Sequence, residues 1–213
     1  MREGHIPETT VARLPTYLQV LVEATDRGVA TLSSEELAAA AGMNSSKVRK
    51  DLSYLGTYGT RGVGYEVAAL AREIANALGL AEDRPVVLIG VGNLGRALAS
   101  YDGFERRGFR LVALLDADPA VVGTRVGGRT VQPIAHLEDL LQQQAVGMAM
   151  LAIPAAHAQA MADRLVAAGV RSILSFAPTY LTVPEHVTVR RVDLATELQI
   201  LSFYERVAAQ FTG

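Results

Sequence analysis

Six consecutive residues, Gly90-Val91-Gly92-Asn93-Leu94-Gly95, carry the clearest chemical signal in the chain. They follow the apolar run Val86-Val87-Leu88-Ile89 and precede Arg96 to Tyr101, so the spacing predicts a strand, a turn spelled GxGxxG and a helix. In such a unit the first glycine allows the tight turn and the second lets backbone approach a pyrophosphate. The third has no Cβ to hold the helix off the sheet. Unpaired N–H groups and the positive end of the helix dipole then face the phosphates. A second signal closes the next apolar run, Leu111 to Leu115. Asp116 stands there, about 20 residues beyond the glycines, where a carboxylate accepts hydrogen bonds from ribose hydroxyls. It also repels a 2′-phosphate, and Ala117-Asp118 offers no arginine to receive one. The pattern favours NAD(H) over NADP(H).

The surrounding elements have to present that turn at the edge of a sheet. Beyond Asp116, short apolar runs at Thr130-Val131-Gln132, Val146 to Ile153, Ser172 to Phe176 and Val187 to Val192 alternate with stretches of helical spacing. This is the pattern of an α/β fold with a Rossmann-like, mostly parallel sheet. Ligands of such sheets lie beyond the carboxyl ends of the strands. That rule puts Ile153 and Pro154 near the adenine half of the cofactor and Phe176 near the nicotinamide, although each also serves as an ordinary strand-ending turn. Tyr101, on the helix after the glycines, is a further candidate contact or else a surface or core aromatic.

The first eighty residues read differently. Leu14, Leu18, Leu21 and Val22 recur at helical spacing, with Pro15 tolerable in a first turn. Ser33-Ser34-Glu35-Glu36 resembles a capping box, Gly42 breaks the helix that follows, and Asn44 or Ser45 caps a third helix running to about Tyr54. Two short helices across a glycine turn make a helix-turn-helix. With Val48, Leu52 and Leu55 facing inward, Ser45, Ser46, Lys47, Arg49, Lys50 and Ser53 face outward, groups that bind phosphates and base edges. Lys47 and Lys50 are the only lysines of the chain, and Asp51 is the one acid opposing this patch. The glycine-rich stretch from Gly56 to Val67 suits a β-hairpin wing whose tip, Arg61, reaches into a minor groove. A three-helix domain used for protein contacts would share much of this pattern.

Composition narrows the classes. The chain has 213 residues, a net charge of −2 and no cysteine, so disulfides, thiolate metal sites and cysteine nucleophiles are excluded. Its four histidines, His5, His136, His157 and His186, have no metal-ligand spacing. No apolar run approaches the ~20 residues of a membrane span, and the opening Met1-Arg2-Glu3 is unlike a signal peptide. A cytoplasmic protein without metal is expected. A dehydrogenase would need a proton-moving group, for which His157 is the best candidate, and a substrate domain, which the residues after 192 do not supply. A CoA-binding module with a similar sheet is a third reading.

Taken together, Arg13-Leu14-Pro15, the run Val48 to Gly56, Gly62 to Tyr65, Gly90 to Gly95, Val183 to His186 and Asp193 to Gln199 resemble the Rex family of redox-sensing transcriptional repressors over nearly the whole chain. The resemblance implies no catalysis. It implies a winged-helix domain at 1–80, an NAD(H)-binding Rossmann domain at 81–193 and a domain-swapped helix at 194–213 that inserts into the other subunit of a homodimer. Packing of that apolar helix (Leu198, Leu201, Phe203, Tyr204, Val207 and Phe211) on its own domain is the alternative. The resemblance further implies binding to a palindromic double-stranded operator, release by NADH, and an interdomain contact between Arg13 and Asp193 for which Tyr101 competes.

Overall fold

The computed structural model describes residues 6–56, 59–60 and 63–211, with side chains described through 207. Two compact units form, Met1–Glu82 and Asp83–Gly213. Arg61, the expected wing tip, and the Phe211 side chain lie outside the described residues.

In the first unit the expected single N-terminal helix is two, α1 (Glu8–Val11) and α2 (Leu14–Asp26). Pro15 has no N–H to donate and sits in the first turn of α2, so the chain bends at Ala12-Arg13. Next come β1 (Thr31–Leu32), α3 (Ser34–Ala40) and α4 (Ser45–Ser53). Ser33 and Glu36 form a reciprocal capping box on α3, and the Asn44 side chain accepts the Ser46 N–H at 2.8 Å to start α4. Then follow β2 (Gly59–Thr60), β3 (Gly64–Glu66) and α5 (Val67–Ala77). The strands order β1-β3-β2, all antiparallel, which makes β2 and β3 the wing. Leu14, Leu21, Leu37, Val48, Leu52, Leu70 and Ile74 are buried together as the core of this unit.

One buried residue overturns the sequence reading. Asp51 does not oppose the basic face of α4; it is only 1% exposed and points into the domain. Its carboxylate accepts hydrogen bonds from Thr10 Oγ1 at 2.9 Å, from Arg13 Nε and Nη2 at 2.7 Å each, and from Tyr17 Oη at 2.7 Å. Burial works to raise the acid's pKa, but the hydrogen bonds from Arg13, Tyr17 and Thr10 outweigh it and hold the carboxyl below its ordinary value. Burial first, then the bond to Asp51, pushes the Tyr17 phenol up to about 12.

The second unit contains β4 (Arg84–Ile89), α6 (Asn93–Ala99), β5 (Phe109–Asp116), β6 (Arg125–Val126), β7 (Arg129–Pro133), α7 (Leu137–Gln143), β8 (Met148–Leu151), α8 (Ala155–Ala167), β9 (Ser172–Ser175), β10 (Thr188–Arg191) and α9 (Leu194–Phe211). The strand order is β10-β9-β8-β4-β5-β7-β6, with every pair parallel except β6 on β7. Read from β4, the chain fills one side of the sheet through β5 and β7, then returns to lay β8, β9 and β10 on the other. The crevice of a doubly wound sheet therefore opens between β4 and β8. Val87 and Ile89 enter the core on one face, Val86 and Leu88 on the other, which explains why β4 is apolar without alternation. A register slip opposite Val86/Val87 lets Leu111 and Leu114 share one face of β5.

Removing the charge of Asp51 leaves four donors around a poorer acceptor. Asp51→Asn is expected to destabilise the first unit by about 3 kcal/mol at neutral pH. Because the folded carboxyl titrates below its unfolded value, this contribution is complete above about pH 4 and is lost as pH falls through the folded pKa. The gap between wild type and variant should therefore narrow in acid. Urea titrations of the full chain, with hydrogen exchange of the α4 amides as the local probe, check both parts.

Candidate functional site

The glycine turn leaves β4 at the crevice. Gly90 has φ +91°, and a Cβ there would come within 2.4 Å of the Ala152 carbonyl oxygen. A Cβ on Gly95 would stand 1.9 Å from the Gly90 carbonyl oxygen, so α6 packs directly on the turn that precedes it. Gly92 is different. Its φ of −70° suits any residue, and a Cβ there meets nothing within 4 Å. The chain gives Gly92 no internal reason to be glycine, so the open space is the feature to explain. No side chain caps α6, whose N-terminus begins at this same point. An open glycine beside an uncapped helix start fits a pyrophosphate.

Asp116, at the carboxyl end of β5, accepts the Val91 N–H at 2.6 Å and the Asp118 N–H at 2.8 Å, one on each oxygen. The carboxylate thus ties the glycine turn to the next strand. Each oxygen keeps a lone pair for a ribose hydroxyl. The strand ends are stitched in a row: Gly90 N–H donates to the Leu115 carbonyl, Ala152 N–H to Ile89, and Phe176 N–H to Leu151, at 2.8 to 2.9 Å. Ile153 and Phe176 are half-buried, Pro154 is exposed at the cap of α8, and Val91, Asn93 and Leu94 complete the turn. All these positions share the carboxyl edge of the sheet.

Tyr101 does not join them within one chain. It follows the far end of α6, beyond Ser100, and its ring packs edge-on against Phe104 at 5.1 Å while its oxygen accepts from Arg107 Nη1 at 3.1 Å. It lines a cavity of about 500 Å³ with Leu111, Gly127 and Arg129, at the amino end of β5 and opposite the glycine turn. The expectation that Tyr101 is part of α6 is corrected: the helix stops at Ala99 and Tyr101 lies just beyond its cap.

On α4, Ser46, Lys47, Arg49, Lys50 and Ser53 are exposed and Ser45 is half-buried. Lys47 and Lys50 form no ion pair among the described residues. Arg49 is held: Nη1 bonds Glu35 at 2.9 Å and Ser34 at 3.0 Å, and Nη2 bonds Ser46 at 3.2 Å. The Glu35 backbone N–H, the Ser34 hydroxyl and Arg49 hold the Glu35 carboxyl below its usual value. Ser53 Oγ is turned back on the Lys50 carbonyl at 2.6 Å.

Arg13 and Asp193 each have a partner inside their own unit. Arg13 is on Asp51, as above. Asp193 caps α9 by accepting the Ala195 and Thr196 N–H groups at 3.1 and 3.4 Å, and it lies 3.4 Å from Arg191. Arg191 also stacks over the exposed Tyr180 ring, 4.3 Å from its centroid. Sequence spacing singled out neither Asp51 as a buried anchor nor the stacking of Arg191 on Tyr180, since these partners are distant in the chain.

A winged helix with a basic second helix, joined to a Rossmann sheet with an open glycine turn, defines a DNA-binding regulator with a nucleotide-type sensing unit. A family model described as a putative DNA-binding protein N-terminus matches residues 5–53, and one described as a CoA-binding domain matches residues 81–179. The chain is 59% identical over 205 residues to the redox-sensing transcriptional repressor Rex of Streptomyces coelicolor, covering 96% of this chain and 80% of that protein. It is 44% identical over 203 residues to the Rex of Desulfitobacterium hafniense, covering 95% and 97%. The chain belongs to the Rex family of redox-sensing transcriptional repressors. Among solved structures, RSP in complex with β-NAD⁺ and operator DNA superposes with a TM-score of 0.90 at 33% identity, over 99% of this chain and 97% of that one. RSP with β-NADH gives 0.87 at 32% identity, over 99% of each.

The two kinds of glycine should separate cleanly. Gly95→Ala drives a Cβ into backbone and is expected to lower the melting temperature by about 5 °C or more. Gly92→Ala should melt with the wild type. Differential scanning calorimetry of both variants tests this.

Proposed function

We propose that this chain is a homodimeric repressor whose operator affinity is set by the NADH/NAD⁺ ratio. The single observation that carries the reading is the coexistence of an exposed Lys47–Lys50 face on α4 with the open Gly92 beside Asp116, in a chain similar throughout to RSP. RSP has been crystallised with NAD⁺ on operator DNA and with NADH.

In this reading the winged-helix domain takes residues 1–80, the NAD(H) domain 81–193, and the C-terminal helix 194–213. Backbone N–H groups of Val91 to Gly95 receive the pyrophosphate, and Asp116 accepts ribose hydroxyls while rejecting a 2′-phosphate. Ile153 and Pro154 flank the adenine half, and Phe176 the nicotinamide. The bound dinucleotide supplies the signal itself, a ring that is cationic when oxidised and neutral when reduced. No residue at this edge is assigned a catalytic role. Lys47 and Lys50 neutralise phosphates, Ser45, Ser46, Arg49 and Ser53 meet base edges or phosphates, and Arg61 on the wing enters the minor groove. The second subunit covers α9, whose Leu194, Leu198, Leu201, Phe203 and Tyr204 are each more than half exposed in the single chain. Such a row of large apolar groups on a terminal helix calls for a partner surface. Two α4 helices then fit successive major grooves of a palindrome.

NADH and operator oppose each other by linkage: if NADH favours a dimer that mismatches the half-site spacing, operator binding lowers NADH affinity by the same factor. Exchange of Asp193 from Arg191 toward Arg13 is the ionic part of that change, with Tyr101 competing. No helix among the described residues is long and apolar enough to cross a membrane. A cytoplasmic setting follows from work on DNA.

A gel shift on a palindromic operator tests the reading. NADH should release the protein, NAD⁺ and NADPH should not, and Gly92→Ala should raise the NADH concentration needed by about tenfold. Oxidation of NADH with a small substrate, and no effect on DNA, would establish an enzyme instead.

A further inference from the structure

α4 holds a charge where a recognition helix ordinarily holds an apolar side chain. At 3.6 residues per turn, Val48, Asp51, Leu52 and Leu55 line one face, and three of these four are apolar. Lys47 stands one turn N-terminal to Asp51 along the same edge, and Lys50 immediately precedes it. Ser46, Arg49 and Ser53 lie on the far side. Any rotation of α4 about its axis therefore moves Lys47 and Lys50 in step with Asp51.

The hydrophobic effect buries the face of α4 but is itself non-directional. Hydrogen bonds are directional. Asp51 receives four of them, two from one guanidinium in a fixed fork and one each from Thr10 and Tyr17, from the two helices on either side of the Arg13 bend. Each oxygen accepts two, so the carboxylate plane is defined as well as its position. We propose that Asp51 is the positioning residue of the recognition helix, fixing the rotation of α4 so that its basic edge matches the operator, with Arg13 and Tyr17 as the groups that hold it. This deepens the proposed function and rests on α4 being the DNA-reading helix.

Arg13 thereby has a second consequence. Its side chain is 24% exposed, so the guanidinium that grips Asp51 is partly open to solvent. A change at Arg13 therefore reaches the DNA-facing edge through two hydrogen bonds.

The test separates positioning from mere stability by comparing specific with non-specific DNA. Tyr17→Phe removes one donor and keeps the ring; Arg13→Lys keeps the charge and loses the fork. Full-length variants are melted first, then titrated without NADH on operator and on random duplex, with Lys47→Ala alongside. Either folded substitution at 17 or 13 should weaken operator binding about tenfold. Random-duplex affinity should stay within about twofold, with the salt slope unchanged, because phosphate neutralisation does not need the exact rotation. A parallel fall on both DNAs, or no change on either, overturns the proposal. Lys47→Ala should weaken both DNAs and shallow the salt slope. If it does so while Tyr17→Phe and Arg13→Lys keep the wild-type ratio, only the role of Asp51 is wrong. If Lys47→Ala changes nothing, the assignment of α4 fails and the proposal with it.

Discussion

The carboxylate of Asp51 is the constraint around which the DNA-facing unit is built. An ionised acid in an apolar interior is costly unless its partners are complete. Here they are complete, and meeting that demand shapes the chain. Thr10, Arg13 and Tyr17 can converge on one point only because α1 ends at Val11 and α2 restarts at Leu14. Pro15 supplies the bend. No buried side-chain polar atom among the described residues lacks a partner, so the charge is fully accounted for.

The second unit solves the opposite problem. Around Gly90 and Gly95 every close approach is used, backbone against backbone, and Asp116 ties the loop to β5 through the Val91 N–H. That rigidity leaves one place unfilled, Gly92. A preorganised backbone with open space at the helix start binds a phosphate without first having to rearrange. One unit therefore hides a charge to fix a helix, and the other holds a loop rigid to keep polar groups available.

How much of this the sequence disclosed follows from how local each signal is. The strands β4, β5 and β8 were legible because strands buried on both faces are written as largely continuous apolar runs. The capping box at Ser33 and Glu36 was legible because its partners are three residues apart. The two-residue strands β1 and β6 were not, since their pairing with β3 and β7 is visible only in three dimensions. Asp51 was misread as a surface acid because its Arg13 partner is 38 residues away. Arg49 looked like a free cation for the same reason, its Glu35 partner being on the preceding helix. Tyr101 was placed on the helix when α6 already stops at Ala99.

The two edges of the large sheet end differently, and the difference bears on how copies of the chain meet. At one edge β6 turns back antiparallel on β7 for two residues, replacing a parallel edge with a short, twisted stub. At the other, β10 is four residues long and presents exposed Thr188 and Arg190 alternating with half-buried positions. Short strands and edge cations are the means by which open sheets avoid continuous pairing from molecule to molecule. The Rossmann sheet is thus closed to growth along its hydrogen-bonding direction. The exposed apolar row of α9 is a different kind of surface, one whose demand ends once its side chains are covered.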